Sequence, residues 1–236
     1  MDFFRYESMK KIILFILFTT CLYGQIQSGI VTYGLTLGYD EMLSKDERFG
    51  SFYEKAQVGA KQISNTLRFN TTVSLFQMND FMEDENSKWA KMLSGASTVV
   101  YSNLHSDQKT RQINSAMGQF LIDYTKKTVW TLEKETKYID AYLCYKATAE
   151  ATVVNAKGTF TFPVVAWYCP SIPFSYGPHG YDGLPGLILE LTERYITYGA
   201  VKVNLSKEHI ALEKPKEGKE LTEEAFIAQM KNPPGF

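Results

Sequence analysis

The chain has 236 residues, with 25 Lys and Arg against 26 Asp and Glu, so its formal net charge is −1. A near-neutral chain has no general electrostatic attraction to nucleic acid or to an anionic membrane surface. Hydrophobic residues make up 44% and charged residues 22% of the chain, which excludes a disordered chain, a collagen-like fibre and a polytopic membrane protein.

The beginning of the chain has the pattern of an export signal. Lys10 and Lys11 form a short basic region, and an apolar run covers residues 12–18. Gly24 then supplies a small residue for cleavage before Gln25. The apolar run is too short for a transmembrane span, which needs about 20 apolar residues.

Two details of this leader bear on where the mature protein starts. Acidic residues among the first eight positions do not suit a signal peptide, so we expect translation to start at Met9. Acylation at Cys21, as in a lipoprotein, is the alternative to simple cleavage. We predict that residues 1–24 are a signal peptide. The mature protein then lies in the periplasm, at the outer membrane or outside the cell.

The first elements of the mature chain alternate between strand and helix patterns. Residues 29–39 alternate between apolar and polar side chains, which predicts a half-buried strand. Helical spacing over residues 41–63 predicts a helix with Asp40 as its N-cap. Residues 66–78 return to a period of two, and residues 80–96 are acidic and then helix-like.

Strands dominate the rest of the chain, and no alternation of strands with crossover helices is present. Successive strands joined by short turns favour an antiparallel sheet, and a sheet of many strands twists and curls. We predict one α+β domain over residues 25–205, mostly antiparallel β. It forms a single curved sheet or open half-barrel with one or two early helices. The further strands are expected at 97–104, 109–114, 118–124 and 128–133, twice between 136 and 170, and at 187–197 and 200–205, the last two joined across Tyr198 and Gly199.

The last segment, residues 206–236, has a different character. It is highly charged, and Thr222 can cap a short C-terminal helix over residues 223–231. Asn232 and the two prolines after it end that helix. Because its apolar face is weak, we expect a solvated, partly frayed tail.

Two cysteines flank the clearest hairpin of the sequence. The turn is expected at residues 155–158, where Asn155 and Gly158 are turn formers. A symmetric loop of two or four residues places Cys144 and Cys169 opposite each other, within disulfide range. We therefore predict a disulfide in the exported protein. A three-residue loop with a glycine bulge would instead place the two cysteines on opposite faces of the sheet.

The most specific pattern of the chain lies in residues 164–190, together with the flanking segments 130–151 and 214–226. These residues closely resemble the GLPGLI family of exported Bacteroidetes proteins, over roughly residues 25–226. The resemblance implies export and a shared fold. It implies no enzymatic activity, because the family has no established biochemical role. The motif for which the family is named is present as Gly183, Leu184, Pro185, Gly186, Leu187 and Ile188.

The motif also has a purely structural interpretation. Pro185 followed by Gly186 is typical of a type II turn, in which the glycine adopts a positive φ. A side chain at Gly186 is then expected to destabilise the fold. Loops also carry binding residues, and the aromatic Gly/Pro turn upstream is the alternative site of function. The residues of this possible ligand lip are Tyr176, His179, Tyr181 and Asp182.

Nothing in the sequence forms a convincing catalytic constellation. Ser175, His179 and Asp182 lie close together in the chain, but they occur without a nucleophile elbow. The three histidines and three cysteines do not have metal-ligand spacing. We therefore expect no catalytic residue, no metal and no cofactor.

Two functions remain open on the sequence alone. The protein is expected to be a binding or carrier module for an apolar or peptide ligand. The alternative is a structural or interaction partner of an outer-membrane complex. The inward face of the sheet discriminates between them, because a carrier needs an open apolar cavity. A core filled by the early helices favours the interaction partner. Neither function involves nucleic acid or a transmembrane span in the mature protein.

Overall fold

The structure is a computed structural model that describes residues 26–115, 118–125, 127–155 and 158–231. The predicted signal peptide, with Met9 and Cys21, lies outside the described residues. Along the described ranges, no helix combines the length and the apolar character needed to cross a membrane.

The fold is built on one 12-stranded sheet. The strands are β1 (Ser28–Leu37), β2 (Ser64–Asn70), β3 (Val73–Met78), β4 (Val99–Asn103), β5 (Gln108–Ser115), β6 (Gly118–Tyr124), β7 (Thr131–Ile139), β8 (Tyr142–Asn155), β9 (Gly158–Cys169), β10 (Leu187–Glu193), β11 (Ile196–Ser206) and β12 (Lys219–Thr222). Their order across the sheet is β12-β6-β5-β4-β3-β2-β1-β11-β10-β9-β8-β7. Neighbours are antiparallel except β12, which runs parallel to β6. The sheet is open, and the predicted mostly antiparallel α+β fold is confirmed.

Four helices accompany the sheet in the described part of the chain: α1 (Glu41–Ser44), α2 (Gly50–Ala60), α3 (Glu85–Ser94) and α4 (Glu223–Lys231). The single helix predicted over 41–63 is therefore two helices. Asp40 caps α1 as predicted, since its carboxylate accepts from the Leu43 N–H at 3.0 Å. The helix then breaks because Asp46 uses its own carboxylate to accept the backbone N–H of Arg48 at 2.8 Å.

The helix predicted within residues 80–96 begins and ends at strong local signals. Asp84 and Ser87 form a capping box at the start of α3. Gly95 ends α3 in the left-handed conformation, with φ of 63°. The acidic residues Glu83 and Asp84 come directly before α3, and Asp84 supplies its N-cap.

Two predicted strand boundaries are wrong, each because of a side chain that makes a turn. The run 66–78 is not one strand, because the Asn70 side chain accepts from the Thr72 and Val73 N–H groups and reverses the chain. The β10–β11 turn lies at Arg194 and Tyr195, not at Tyr198 and Gly199.

The β10–β11 turn is stabilised by Arg194, which adopts a left-handed φ of 55°. Its guanidinium lies 2.7 Å from the Asp40 carboxylate and stacks over the Phe162 and Tyr195 rings. Asp40 and Phe162 are distant from Arg194 in the sequence. The alternation of apolar and polar residues within 187–205 therefore could not indicate where this turn lies.

The early helices cover the middle of the sheet. Ala56 and Ala60 of α2 and Ala90 of α3 are buried in the same core as Tyr33 and Leu67 from the central strands β1 and β2. Small residues on the helices allow this close approach. The centre of the inward face is therefore a packed core rather than an open cavity.

The C-terminal segment is part of the packed structure. The helix predicted at 223–231 is present with these bounds, but the expectation of a solvated tail is wrong for residues 219–231. β12 pairs with β6, and α4 contacts both β6 and β8. The two rings of Phe120 and Phe226 lie 5.6 Å apart. Because β6 and β8 lie near opposite ends of the strand order, the sheet must curve to bring them to one helix.

Candidate functional site

The hairpin that carries the two cysteines has the predicted symmetric register. Asn155 faces Gly158 and Tyr145 faces Tyr168 without a register shift between them. This register excludes the three-residue loop, and the next facing positions along it are Cys144 and Cys169. The central turn residues 156–157 lie outside the described residues.

Both cysteines are buried free thiols in the structure rather than the predicted disulfide. The Cys144 thiol donates to the Tyr142 carbonyl oxygen at 3.6 Å, and the Cys169 sulfur lies 3.0 Å from the Ser171 hydroxyl. Burial raises the pKa of the Cys144 thiol to about 12. The predicted disulfide is thus not present in the structure, and it stays a prediction for the exported protein.

The GLPGLI motif leads directly into the core. Leu184, Leu187 and Ile188 are at most 1% exposed. The predicted type II turn is wrong, because the Gly186 N–H donates to the Leu184 carbonyl at 2.8 Å and closes a tighter three-residue turn around Pro185. Leu187 cannot close a type II turn, since its N–H donates to the Ile172 carbonyl at 3.0 Å.

Gly186 has the positive φ that the sequence predicts, at 155°. A Cβ atom on it would lie 2.3 Å from the Cys169 carbonyl oxygen, so the backbone of β9 leaves no room for a side chain. Gly183 also has a positive φ, of 88°, and its N–H donates to the Ser175 hydroxyl. These contacts support the structural interpretation of the motif.

The lip predicted upstream of the motif is held against β5 by a nearly buried ion pair. The Lys109 ammonium lies 2.9 Å from the Asp182 carboxylate, and their side chains are 5% and 17% exposed. Lys109 also donates to the Gly180 carbonyl at 2.9 Å. Burial raises the pKa of the Asp182 carboxyl, although Lys109 opposes this effect. The pair fixes the lip to a strand that is distant in sequence.

Further side-chain contacts hold the lip on its other side. The Trp130 indole donates to the Asp182 carbonyl at 2.7 Å, and the Tyr181 hydroxyl donates to the Glu193 carboxylate at 2.6 Å. Burial raises the pKa of the Tyr181 hydroxyl, and the neighbouring Glu193 charge raises it further. Tyr181 is therefore a neutral donor at physiological pH.

The four lip residues have different surroundings. Tyr176 is buried at 1% exposure in the central core. His179 adopts a left-handed φ of 54°, and its ring stacks on Tyr198 with centroids 6.0 Å apart. His179 and Tyr181 line a cleft, whereas Tyr176 and Asp182 position the loop behind it.

This cleft has a volume of about 530 Å³ and lies between the two ends of the curved sheet. Its lining comes from β5, β6 and β8 and from α4, which contacts both β6 and β8. Phe226 and Ile227 of α4 and Val153 of β8 supply its apolar lining. The polar residues that line the cleft are Lys109, Arg111, Tyr124, Thr128, Thr152, His179, Tyr181, Glu193 and Glu223.

Arg111 is the cleft residue with the most distinctive environment. Its Nη2 donates to the Glu223 carboxylate of α4 at 2.8 Å. Its guanidinium lies 4.6 Å from the centre of the Tyr124 ring, a cation–π contact. Burial raises the pKa of Tyr124 to about 12. No local pattern marks Arg111 and Glu223 in the sequence, because they meet only through the pairing of β12 with β6, the neighbour of β5.

Ser175, His179 and Asp182, which are close together in the sequence, each interact with a different partner. Ser175 accepts from the Gly183 N–H, and Asp182 pairs with Lys109. The His179 ring packs against Tyr198. Within the described part of the chain, His, Cys, Asp and Glu form no cluster that could hold a metal ion.

A second cleft, of about 750 Å³, lies beside the first on strands β7, β8 and β9. It shares Thr128 and Thr152 with the first cleft, and Phe162 forms part of its wall. Two of the four residues predicted as a ligand lip, His179 and Tyr181, line the smaller cleft, whereas the lining of the larger cleft includes none of the four.

Comparison with known proteins gives a family of unknown function and a shared fold. The family model described as "Protein of unknown function (Porph_ging)" matches residues 156–190, which include the motif. Two solved structures of PNGF-II, in the C2 and P21 space groups, have TM-scores of 0.55 and 0.54. Each is 14% identical, and the match covers 87% of this chain and 33% of that one. The chain thus spans only 33% of those proteins, and the likeness shows the fold alone. No curated protein matches the sequence.

Proposed function

We propose that the chain is an exported envelope protein of the GLPGLI family that binds an apolar or peptide ligand and has no catalytic role. The basic and apolar leader before Gln25 supports export. The match to a family of unknown function over the motif supports the family assignment. We also propose that the protein lies in the periplasm, at the outer membrane or outside the cell.

The observation that carries the proposal is the cleft beside His179 and Tyr181. Its volume of about 530 Å³ lies within the roughly 300–1,000 Å³ typical of small-molecule sites. Phe226, Ile227 and Val153 supply apolar contacts on two sides. Polar groups with fixed partners, such as Tyr181 on Glu193, surround them. This combination favours a ligand with an apolar body.

The test is a titration of the purified mature protein with Nile red, a neutral dye that fluoresces in apolar sites. Trileucine is titrated separately as the peptide probe. Val153→Trp fills the cleft, whereas Val201→Trp places the same side chain at a position that is 69% exposed and outside it. We expect one saturable site for either probe, lost in Val153→Trp and kept in Val201→Trp. Absence of saturable binding by both probes, or equal binding in the two variants, would refute the proposal.

The interaction-partner alternative is favoured by a different observation. The early helices fill the centre of the inward face, and β7 ends the strand order with one edge unpaired in the described part of the chain. On β7, Leu132 and Tyr138 are 55% and 70% exposed. Such an edge can pair with a strand of another protein. Under this alternative, replacing Tyr138 by Lys releases co-purified envelope proteins, whereas Val153→Trp does not.

A further inference from the structure

The charged groups of the cleft suggest the chemistry of its ligand. The cleft contains two cations. Lys109 is nearly buried, pairs with Asp182 and donates to the Gly180 carbonyl. Its charge therefore stabilises the lip. Arg111 is 28% exposed, and its anionic partner, Glu223, comes from α4 rather than from the sheet.

The contact between Arg111 and Glu223 uses only part of the guanidinium. Nη2 donates to Glu223, whereas Nε is buried and has no hydrogen-bond partner among the described residues. A guanidinium presents its donors as a planar fork that matches a carboxylate through two parallel hydrogen bonds. A buried donor without a partner is unfavourable. A carboxylate that engages both Nε and Nη2 would satisfy this group better than Glu223 does.

The attachment of α4 is also limited. β12 pairs with β6 over the four residues Lys219–Thr222. Beyond this short strand, α4 is joined to the sheet by the Phe120–Phe226 ring contact, the Arg111–Glu223 ion pair and its contacts with β8. Glu223 is the first residue of α4, next to the Thr222 cap. Because a single side-chain hydrogen bond joins the two groups, rotation of the Glu223 side chain is enough to separate its carboxylate from Arg111.

We propose that the ligand is an amphipathic carboxylate and that its carboxylate replaces Glu223 on Arg111. The apolar body of the ligand then contacts Phe226, Ile227 and Val153, which line the cleft. Glu223 acts as an internal competitor that fills the site in the absence of ligand. This inference rests on the proposed function and specifies the ligand class for the same cleft.

The test compares two probes of equal chain length, decanoate and decanol, as competitors of Nile red. Decanoate is expected to displace the dye at a lower concentration than decanol. Arg111→Gln should weaken decanoate at least about tenfold while leaving decanol unchanged. Glu223→Gln should strengthen decanoate about two- to fivefold, because the competing carboxylate is removed.

Two matched controls separate the site from general charge effects. Glu224→Gln changes the next residue of α4, which is exposed and lies outside the cleft. Lys214→Gln removes a cation that pairs with Asp123, also outside the cleft. Both should leave decanoate binding unchanged. If Arg111→Gln does not fold, as its melting curve shows, Glu223→Gln decides alone.

The outcomes distinguish this inference from the proposed function. Equal displacement by decanoate and decanol, or unchanged or weaker decanoate binding in Glu223→Gln, overturns the carboxylate inference. In either case saturable Nile red binding still supports the proposed function. Absence of saturable Nile red and trileucine binding in the parent protein overturns both.

Discussion

The replacement Gly186→Ala tests whether the motif is a structural turn. A Cβ atom at this position would lie 2.3 Å from the Cys169 carbonyl oxygen, 2.6 Å from its carbon and 2.8 Å from the Pro170 nitrogen. Nonbonded carbon–oxygen contacts are normally about 3.3–3.6 Å. The backbones of β9 and of the turn must therefore separate by roughly 1 Å, because all three atoms belong to the main chain.

The energetic cost has two sources. A side chain at φ of 155° strains the backbone by about 1–3 kcal/mol. The separation also breaks one or two hydrogen bonds, from Gly186 N–H to Leu184 and from Leu187 N–H to Ile172, each contributing about 1 kcal/mol. We expect a loss of about 2–5 kcal/mol. In a domain of this size that lowers Tm by about 4–20 °C.

Thermal unfolding followed by circular dichroism measures this loss, with Gly199→Ala as the matched control. Gly199 lies in β11, and a Cβ atom there would meet nothing within 4 Å, so its Tm should stay within a few degrees of the parent. Pro185→Ala should cost less than Gly186→Ala, because Pro185 is exposed and mainly restricts the unfolded chain. A parent-like Tm for Gly186→Ala would refute the structural interpretation and favour a contact surface.

Three further predictions concern the leader, the cysteines and the lip. The exported protein is expected to begin at Gln25, which N-terminal mass analysis checks; a lipidated start upstream would contradict this. Under oxidising conditions Cys144 and Cys169 should form a disulfide that stabilises the fold by about 3 kcal/mol. Non-reducing peptide mapping tests it, and two alkylatable thiols in the exported protein would exclude it. Lys109→Met should destabilise the protein by about 3–5 kcal/mol, because it leaves Asp182 buried without its cation. Since the folded pKa of Asp182 is then raised further above its unfolded value, protonation relieves the loss. Melting curves should show a larger loss at about pH 8 than at about pH 5, and an equal loss would contradict the reasoning.

Sequence patterns predicted those parts of the fold that depend on contacts between residues close together in the chain. The Asp40 cap needs only the next turn of the chain, and the symmetric register of the cysteine hairpin follows from its short loop. The positive φ of Gly186 was also predicted from a local pattern, the Pro185–Gly186 dipeptide. The turn type failed because Leu187 donates to Ile172, a contact outside the turn.

The cleft was not predictable in the same way. Two of its residues, His179 and Tyr181, were singled out because they lie in an aromatic turn. Arg111 and Glu223 are separated by more than a hundred positions and meet because β12 adds to the edge of the sheet beside β6 and β5. Nothing in the sequence around either residue indicates that Arg111 of a strand and Glu223 of a helix form an ion pair.

The central position of β1 has a consequence for how the protein forms. Its partner on one side is β11, so that Ser28 faces Ser206. β11 lies far downstream of β1, so β1 cannot complete its pairing until the chain that holds β2 to β10 has also become available. Until β11 is available, the backbone of β1 can pair with β2 on one edge only, while its face still carries the apolar row from Val31 to Leu37. The β1–β11 junction in the middle of the sheet is thus one of the last strand pairs to form, and the two halves of the sheet stay separate until it does.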